Sequence, residues 1–251
     1  MHNSATSKSR IIAVLVFLIL AAVFATLIVL GSWQMKRLEW KETLLTNIEL
    51  RLASRPISLP ALLELSNAGE EFEYQPVSVT GVFDHTKERH FFATHNGFSG
   101  YYVYTPLMGD FGVIFINRGF VPFDFKEPTT RLEGQIDGAV TVIGLARKML
   151  DEKPSSVVPE NDLDKNIYYW KDLRSMVQTT GLSFDDPKLL KFFVDADETP
   201  NPGGFPQGGV TLIDLPNNHL QYAFTWYGLA ATLLCIVVIF LFRRKTTGGV
   251  S

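Results

Sequence analysis

Five histidines and one cysteine are the residues of this 251-residue chain best suited to bind a metal. His85, His90 and His95 recur at a spacing of five, which puts them on no single face of a strand and scatters them around a helix. Zinc needs ligands that converge tetrahedrally, so exposed hairpin residues is the better account of these three. His2 lies near the start of the chain. His219 differs in its surroundings, Asn217-Asn218-His219-Leu220-Gln221-Tyr222, because an uncharged run begins just after it. An imidazole there is half desolvated and can ligate iron through one nitrogen while a polar neighbour orients the other. Tyr222, Trp226 and Tyr227 stand close by to cover a flat macrocycle, and such a site suits heme. The same residues also read as a polar cap followed by the aromatic belt of a membrane span, and residue types alone favour that plainer account. In Asn117-Arg118-Gly119-Phe120-Val121-Pro122, Arg118 is suited to pair with a carboxylate and Gly119 to permit a bend at a strand end. A Gly-rich phosphate loop, a G-x-S-x-G elbow and an H-E-x-x-H pair are all absent, so no catalytic domain is expected.

The elements that must position these residues begin with two 21-residue stretches free of charge, Ile11 to Gly31 and Tyr222 to Phe242. At about 1.5 Å per helical residue each reaches about 30 Å, the thickness of a bilayer's hydrocarbon core. Lipid requires every backbone polar group to be satisfied within the segment, so both are expected to be spanning helices. A cleaved signal peptide does not suit the first, since an h-region is about 7–15 residues long and Leu30-Gly31-Ser32-Trp33 is not a small-x-small site. Arg243-Arg244-Lys245 forms a stop after the second.

All 26 acidic residues lie between the spans, where 18 basic residues leave a net charge of −8. The tails carry five basic residues and no acidic one. The positive-inside rule therefore puts tails 1–10 and 243–251 in the cytoplasm and segment 32–221 on the far side, although Lys36, Arg37 and Lys41 locally outnumber Lys8 and Arg10. A net charge of −3 without a basic stripe argues against nucleic acid as a partner. The single cysteine, Cys235, sits inside the second stretch. Segment 32–221 consequently has no disulfide, thiolate metal site or thiol redox chemistry, which excludes a cysteine-based copper carrier. Ten residues ahead of the first span are short for an organelle presequence, so a bacterial cytoplasmic membrane, with the segment periplasmic, is the simpler expectation.

Between the spans, one domain with its own core is expected. Its entry keeps helical periodicity, with Trp33, Arg37, Trp40 and Leu44 on one face. Strand patterns follow from Tyr74: Gln75 to Phe83 alternates around Val77, Val79 and Gly81, and Tyr101 to Pro106, Gly112 to Val121 and Gly138 to Ala146 are rich in β-formers. Asn96-Gly97, Gly109-Asp110 and Asp137-Gly138 punctuate them as antiparallel turns. Tyr169 to Thr180 reads as a short helix with Asp172 near its start and Gly181 at its end. Pro200 to Gly209, with four glycines and three prolines, reads as a loop. The fold class is therefore an α+β membrane protein, in which two transmembrane helices flank one mainly antiparallel β domain with minor helices, a barrel or a sandwich.

With these residues in view, the chain resembles the Surfeit locus protein 1 family, the membrane-bound assembly factors of heme-copper cytochrome oxidases. The matching residues run in order: Leu30-Gly31-x-Trp33-Gln34 with Arg37 and Lys41; Gly81-x-Phe83-Asp84 with Glu88; Gly100 with Thr105-Pro106-Leu107; Val113 through Asn117-Arg118-Gly119-Phe120-Val121-Pro122; Tyr169-Trp170 with Asp172; Asp195-Ala196; Pro202-Gly203-Gly204; and Asn218-His219-Leu220-Gln221-Tyr222 followed by Thr225-Trp226-Tyr227-Gly228-Leu229. The resemblance implies a non-enzymatic factor that handles heme a between heme A synthase and subunit I of cytochrome c oxidase. It implies His219 as the heme-iron ligand, with Trp226 and Tyr227, and Trp33 beside them, as apolar walls. Two alternatives come from other classes: a heme-free scaffold that stabilises an oxidase intermediate, and a membrane enzyme acting on heme or quinone.

Overall fold

The computed structural model describes residues 3–211 and 216–247. His2, the outermost residues of both expected tails and residues 212–215 lie outside them. The chain divides into two compact units, Met1–Asn47 with Asp214–Ser251, and Ile48–Ile213.

The first unit is a helix pair. Helix α1 (Asn3–Leu52) contains the whole first apolar stretch and continues beyond it without a break, because nothing from Gly31 to Leu52 is a proline or an N-capping interruption. Its Trp33 and Trp40 face is exposed, with the Arg37 guanidinium 3.8 Å from the centre of the Trp40 ring, while Gly31, Gln34 and Leu38 are buried. The last helix (His219–Thr247) contains the second stretch. Both are long and apolar enough to cross a membrane, and both leave their large apolar side chains exposed, as lipid-facing helices do.

The second unit is a mixed β-barrel. A two-residue strand β1 (Ile57–Ser58) and helix α2 (Leu59–Asn67), capped by the Ser58 hydroxyl, precede β2 (Pro76–Phe83), β3 (Arg89–His95), β4 (Phe98–Gly109), β5 (Gly112–Pro122), β6 (Ala139–Lys148), β7 (Ile167–Tyr168), helix α3 (Leu173–Thr179) and β8 (Leu189–Ala196); the terminal helix is α4. Pairings β2–β6, β6–β8, β8–β5, β5–β4 and β4–β2 close a five-stranded ring, and β3 pairs along the outer half of β4. Every ring pairing is antiparallel except β5–β8, which is parallel.

Two of the three expected hairpin turns hold, Asn96-Gly97 and Gly109-Asp110, the latter between β4 and β5, whereas Asp137-Gly138 only leads into β6, which pairs with β2 and β8 and not with the preceding strand β5. Asn96 (φ 50°) and Gly97 (φ 82°) join β3 to β4, and Gly138 (φ 82°) precedes β6. The Asp172 carboxylate caps α3 at Ser175 N, and Gly181 follows it at φ 74°, so the helix is shorter than its expected span. Along β5 and β8 the side chains alternate between two cores. Ile114, Ile116 and Val194 join Val77, Val79, Leu107 and Ala146 in the barrel interior with Leu62 of α2, while Phe115 and Phe193 join Tyr104 and the buried face of α3. Both faces of β8 are thus covered, which explains a near-continuous apolar run that alternation does not reveal. The Pro200–Gly209 segment holds one 3-10 turn, Pro202–Gly204, and is tied to β5 through Phe120 N to Gln207 O (2.8 Å) and Gln207 N to Phe120 O (2.9 Å).

Candidate functional site

His219 opens α4. Its Nδ1 lies 2.8 Å from Oε1 of Gln34, a buried residue of α1. A carboxamide oxygen only accepts, so Nδ1 carries the proton and donates, and the lone pair of the ring resides on Nε2. The polar neighbour expected beside this histidine is therefore a residue of the other helix. The helix contact that aligns the pair is made one turn back from Gln34 along α1 and about two turns on from His219 along α4. There Gly31 leaves room for Tyr227, whose ring would lie 2.7 Å from any Cβ at that position, and the Tyr227 hydroxyl meets Ser32 Oγ at 3.2 Å. Tyr227 thus seals the helix pair. Trp226, half-buried, stands two turns along α4 from His219 on the same side, about 10 Å further by helical rise. Trp33 is 55% exposed. Among the described residues Nε2 has no hydrogen-bond partner. An imidazole held at Nδ1 with Nε2 uncommitted is the arrangement seen in histidines that ligate metals, where the bond at the far nitrogen fixes the tautomer and ring orientation.

A second polar constellation lies inside the β-barrel unit around Glu88, which follows β2 and is buried. Arg131 grips its carboxylate with two nitrogens, Nη1 at 3.2 Å from Oε1 and Nη2 on Oε2. Arg118 Nη1 stands 3.7 Å from Oε1 and donates from Nη2 to Gly134 O and to Asn201 Oδ1 at 3.1 Å. Burial alone would raise the carboxyl's pKa, but the His85 and Arg131 side chains and the charge of Arg118 hold it down at about 2, so it is ionised at any physiological pH. Burial lowers Arg118 to about 10, against the pull of Glu88, so it too remains charged. With its amide oriented to put the nitrogen toward them, Gln135 bridges the group, donating to Glu88 Oε1 (3.2 Å) and His85 Nδ1 (2.9 Å). His85 in turn uses Nε2 on Ile136 O at 3.0 Å.

This arrangement corrects the reading of the middle histidines. His90 is only 3% exposed, with Nδ1 accepting from Asn166 Nδ2 at 3.0 Å and Nε2 3.8 Å from Glu88 Oε2. Burial pushes its pKa down to about 4, so it is neutral. His85 is half-buried, and only His95 lies at a hairpin, beside the Asn96-Gly97 turn, where it too is half-buried and packed on Phe120 instead of exposed. A spacing of five says nothing of a carboxylate sitting between two of the three. Arg118 does pair with a carboxylate, though within β5 and not at its end. Gly119 has φ 123°, and a Cβ there would lie 1.9 Å from Gln207 O, so it permits the Pro200–Gly209 segment to approach. Gln34, Glu88 and Arg131 are the residues that reasoning from residue types missed; Gln34 and Glu88 had a signal only in the ordered motifs.

Two apolar helices flanking a mixed β-barrel define a membrane protein with two candidate spans. The chain belongs to the SURF1 family, whose model matches residues 21–231, a family known as cytochrome oxidase assembly factors. It is 39% identical over 239 residues to Surfeit locus protein 1 of Rattus norvegicus, covering 88% of this chain and 72% of that protein. Against Surfeit locus protein 1 of Homo sapiens the identity is 41% over 222 residues, 80% of this chain and 69% of the relative. A SURF1-like protein of Drosophila melanogaster is 31% identical over 251 residues, 92% of this chain and 78% of the relative.

Proposed function

We propose that this chain assists the maturation of a heme-copper cytochrome c oxidase by holding heme a and aiding its delivery from heme A synthase into subunit I, without catalysing a reaction of its own. The observation that carries this reading is the Nδ1–Gln34 bond, which leaves Nε2 of His219 with an unshared pair at the start of an apolar helix. Heme, as cargo, would supply an iron that accepts such a pair. His219 would be the ligand and Trp226 an apolar wall; Tyr227 would act chiefly by keeping α1 and α4 in register, so that Gln34 stays opposite His219. The charge distribution supports cytoplasmic tails 1–10 and 243–251, spans 11–31 and 222–242, and a segment 32–221 that in a bacterial cytoplasmic membrane is periplasmic.

The test is the pigment that co-purifies when heme A synthesis is active. A heme band is expected for the unaltered chain, and His219→Ala should remove or shift it while protein level and membrane insertion stay normal. His219→Met keeps a ligand but should raise the iron's reduction potential, as a thioether does relative to imidazole. Heme content and potential unchanged in both variants would overturn the ligand role and leave the heme-free scaffold. For topology, protease added to spheroplasts should cut the central segment, and a reporter fused after Ser251 should be active only as a cytoplasmic type.

A further inference from the structure

A groove of about 590 Å³ lies on the β-barrel unit, walled by Phe91, Met149, Leu150, Tyr169 and Trp170, with Lys171 among its lining residues. This volume falls in the range of small-molecule sites, roughly 300–1,000 Å³. Its other cations are already engaged. Arg147 donates from Nε to Glu73 Oε1 at 2.8 Å and from Nη1 to Asp195 Oδ2 at 2.9 Å, and Lys148 pairs with Glu71 at 3.0 Å. Lys171 is different. Its ammonium stands 3.7 Å from Asp195 Oδ2, beyond hydrogen-bond reach, and 5.7 Å from the centre of the Tyr104 ring. Asp195 has little left to offer it, because Asn117 Nδ2 (3.0 Å) occupies Oδ1, while Arg147 and Thr211 Oγ1 (3.0 Å) occupy Oδ2. Among the described residues the three N–H groups of Lys171 therefore have no acceptor at bonding distance. Burial also lowers its pKa, the cost of an ammonium taken from water without full compensation.

We propose that this groove binds a small amphipathic carboxylate, its flat apolar body against Trp170 and Phe91 and its carboxylate on the Lys171 ammonium. The carboxylate would supply the acceptor that Lys171 lacks, and the aromatic and aliphatic walls would exclude water from the pair, which strengthens it. Nothing in this assignment depends on heme at His219.

The full chain in nanodiscs, titrated calorimetrically against an empty-nanodisc blank, tests it. The probe 2-naphthoate should show saturable one-to-one binding, and 2-naphthamide, with the same rings and no charge, should bind at least tenfold more weakly. Lys171→Met should lower naphthoate affinity to that of the amide, whereas Lys171→Arg should keep it within a few-fold. Should Lys171→Met also lower the unfolding temperature, the ratio of naphthoate to naphthamide on the intact chain decides alone. Equal binding of the two probes, no saturable uptake above the blank, or an unchanged affinity in a stable Lys171→Met chain would each overturn the site.

Discussion

Around Glu88 the barrel surrounds one carboxylate with Arg131, Arg118, Gln135, His85 and His90, and both carboxylate oxygens are gripped from the same domain, although His90 Nε2, 3.8 Å from Oε2, is left without a hydrogen bond among the described residues. At His219 the helix pair answers one ring nitrogen with Gln34, and the other has no partner among the described residues. The first arrangement ties strands and loops together, since Arg118 reaches both Gly134 and Asn201 from β5. The second keeps coordinating capacity in reserve. A buried cluster of titratable groups is commonly read as a functional site, yet here the cluster's charges are spent on one another inside the barrel, whereas the sparse pair presents a ring nitrogen at the start of an apolar helix and is the better binding candidate.

Four experiments separate the two regions. The largest effect is expected from Gly119→Glu, where a side chain must occupy the space of Gln207 O at φ 123°. The cost should exceed about 4 kcal/mol and prevent the barrel from accumulating, read as loss of folded protein; normal abundance would show that the Pro200–Gly209 segment need not seat against β5. Next comes Arg131→Leu, which strands the Glu88 charge in the interior and should cost about 3–5 kcal/mol in denaturant titration. A loss below 1 kcal/mol would mean that Arg118 alone suffices.

Acid should dismantle the same cluster in two steps. His90, at about 4 in the fold against 6.5, stays neutral while the unfolded chain takes up a proton, so stability falls as pH drops from 6.5 to 4. Glu88, at about 2 against 4.5, contributes fully above pH 4.5 and loses that contribution as pH falls toward 2. The His90 step is on the order of 3 kcal/mol, and His90→Phe should flatten the upper part of the profile; an unchanged profile would remove His90 from the account. The smallest effect belongs to Gln34→Leu, which removes the bond to Nδ1 but not the ligand. Heme affinity should fall roughly 10- to 100-fold with the unfolding temperature little changed, and an unaltered affinity would mean that His219 needs no orienting partner.

Much of the frame was legible in the residues because its causes are local. Charge-free runs of bilayer length announce α1 and α4, Asn96-Gly97 announces a hairpin, and Asp172 and Gly181 bracket α3. Strand β8 escaped, since a strand covered on both faces loses the alternation by which strands are recognised, and its parallel partner β5 is joined to it by no turn. His219 was found as a candidate, but not the residue that orients it.

Two apolar helices, a β domain between them and a histidine at the mouth of the second helix are written in the order of residues, because periodicity, turn chemistry and segment length act over a few neighbouring residues. Which side chains meet depends on the assembled fold. Gln34 reaches His219 across 185 positions, and Arg131 reaches Glu88 across 43, through helix packing and strand register that no local pattern encodes. The same packing made His90 a buried neutral base and left the Lys171 ammonium, among the described residues, with only a long ion pair to Asp195, since burial and hydrogen-bond supply are properties of the assembled barrel.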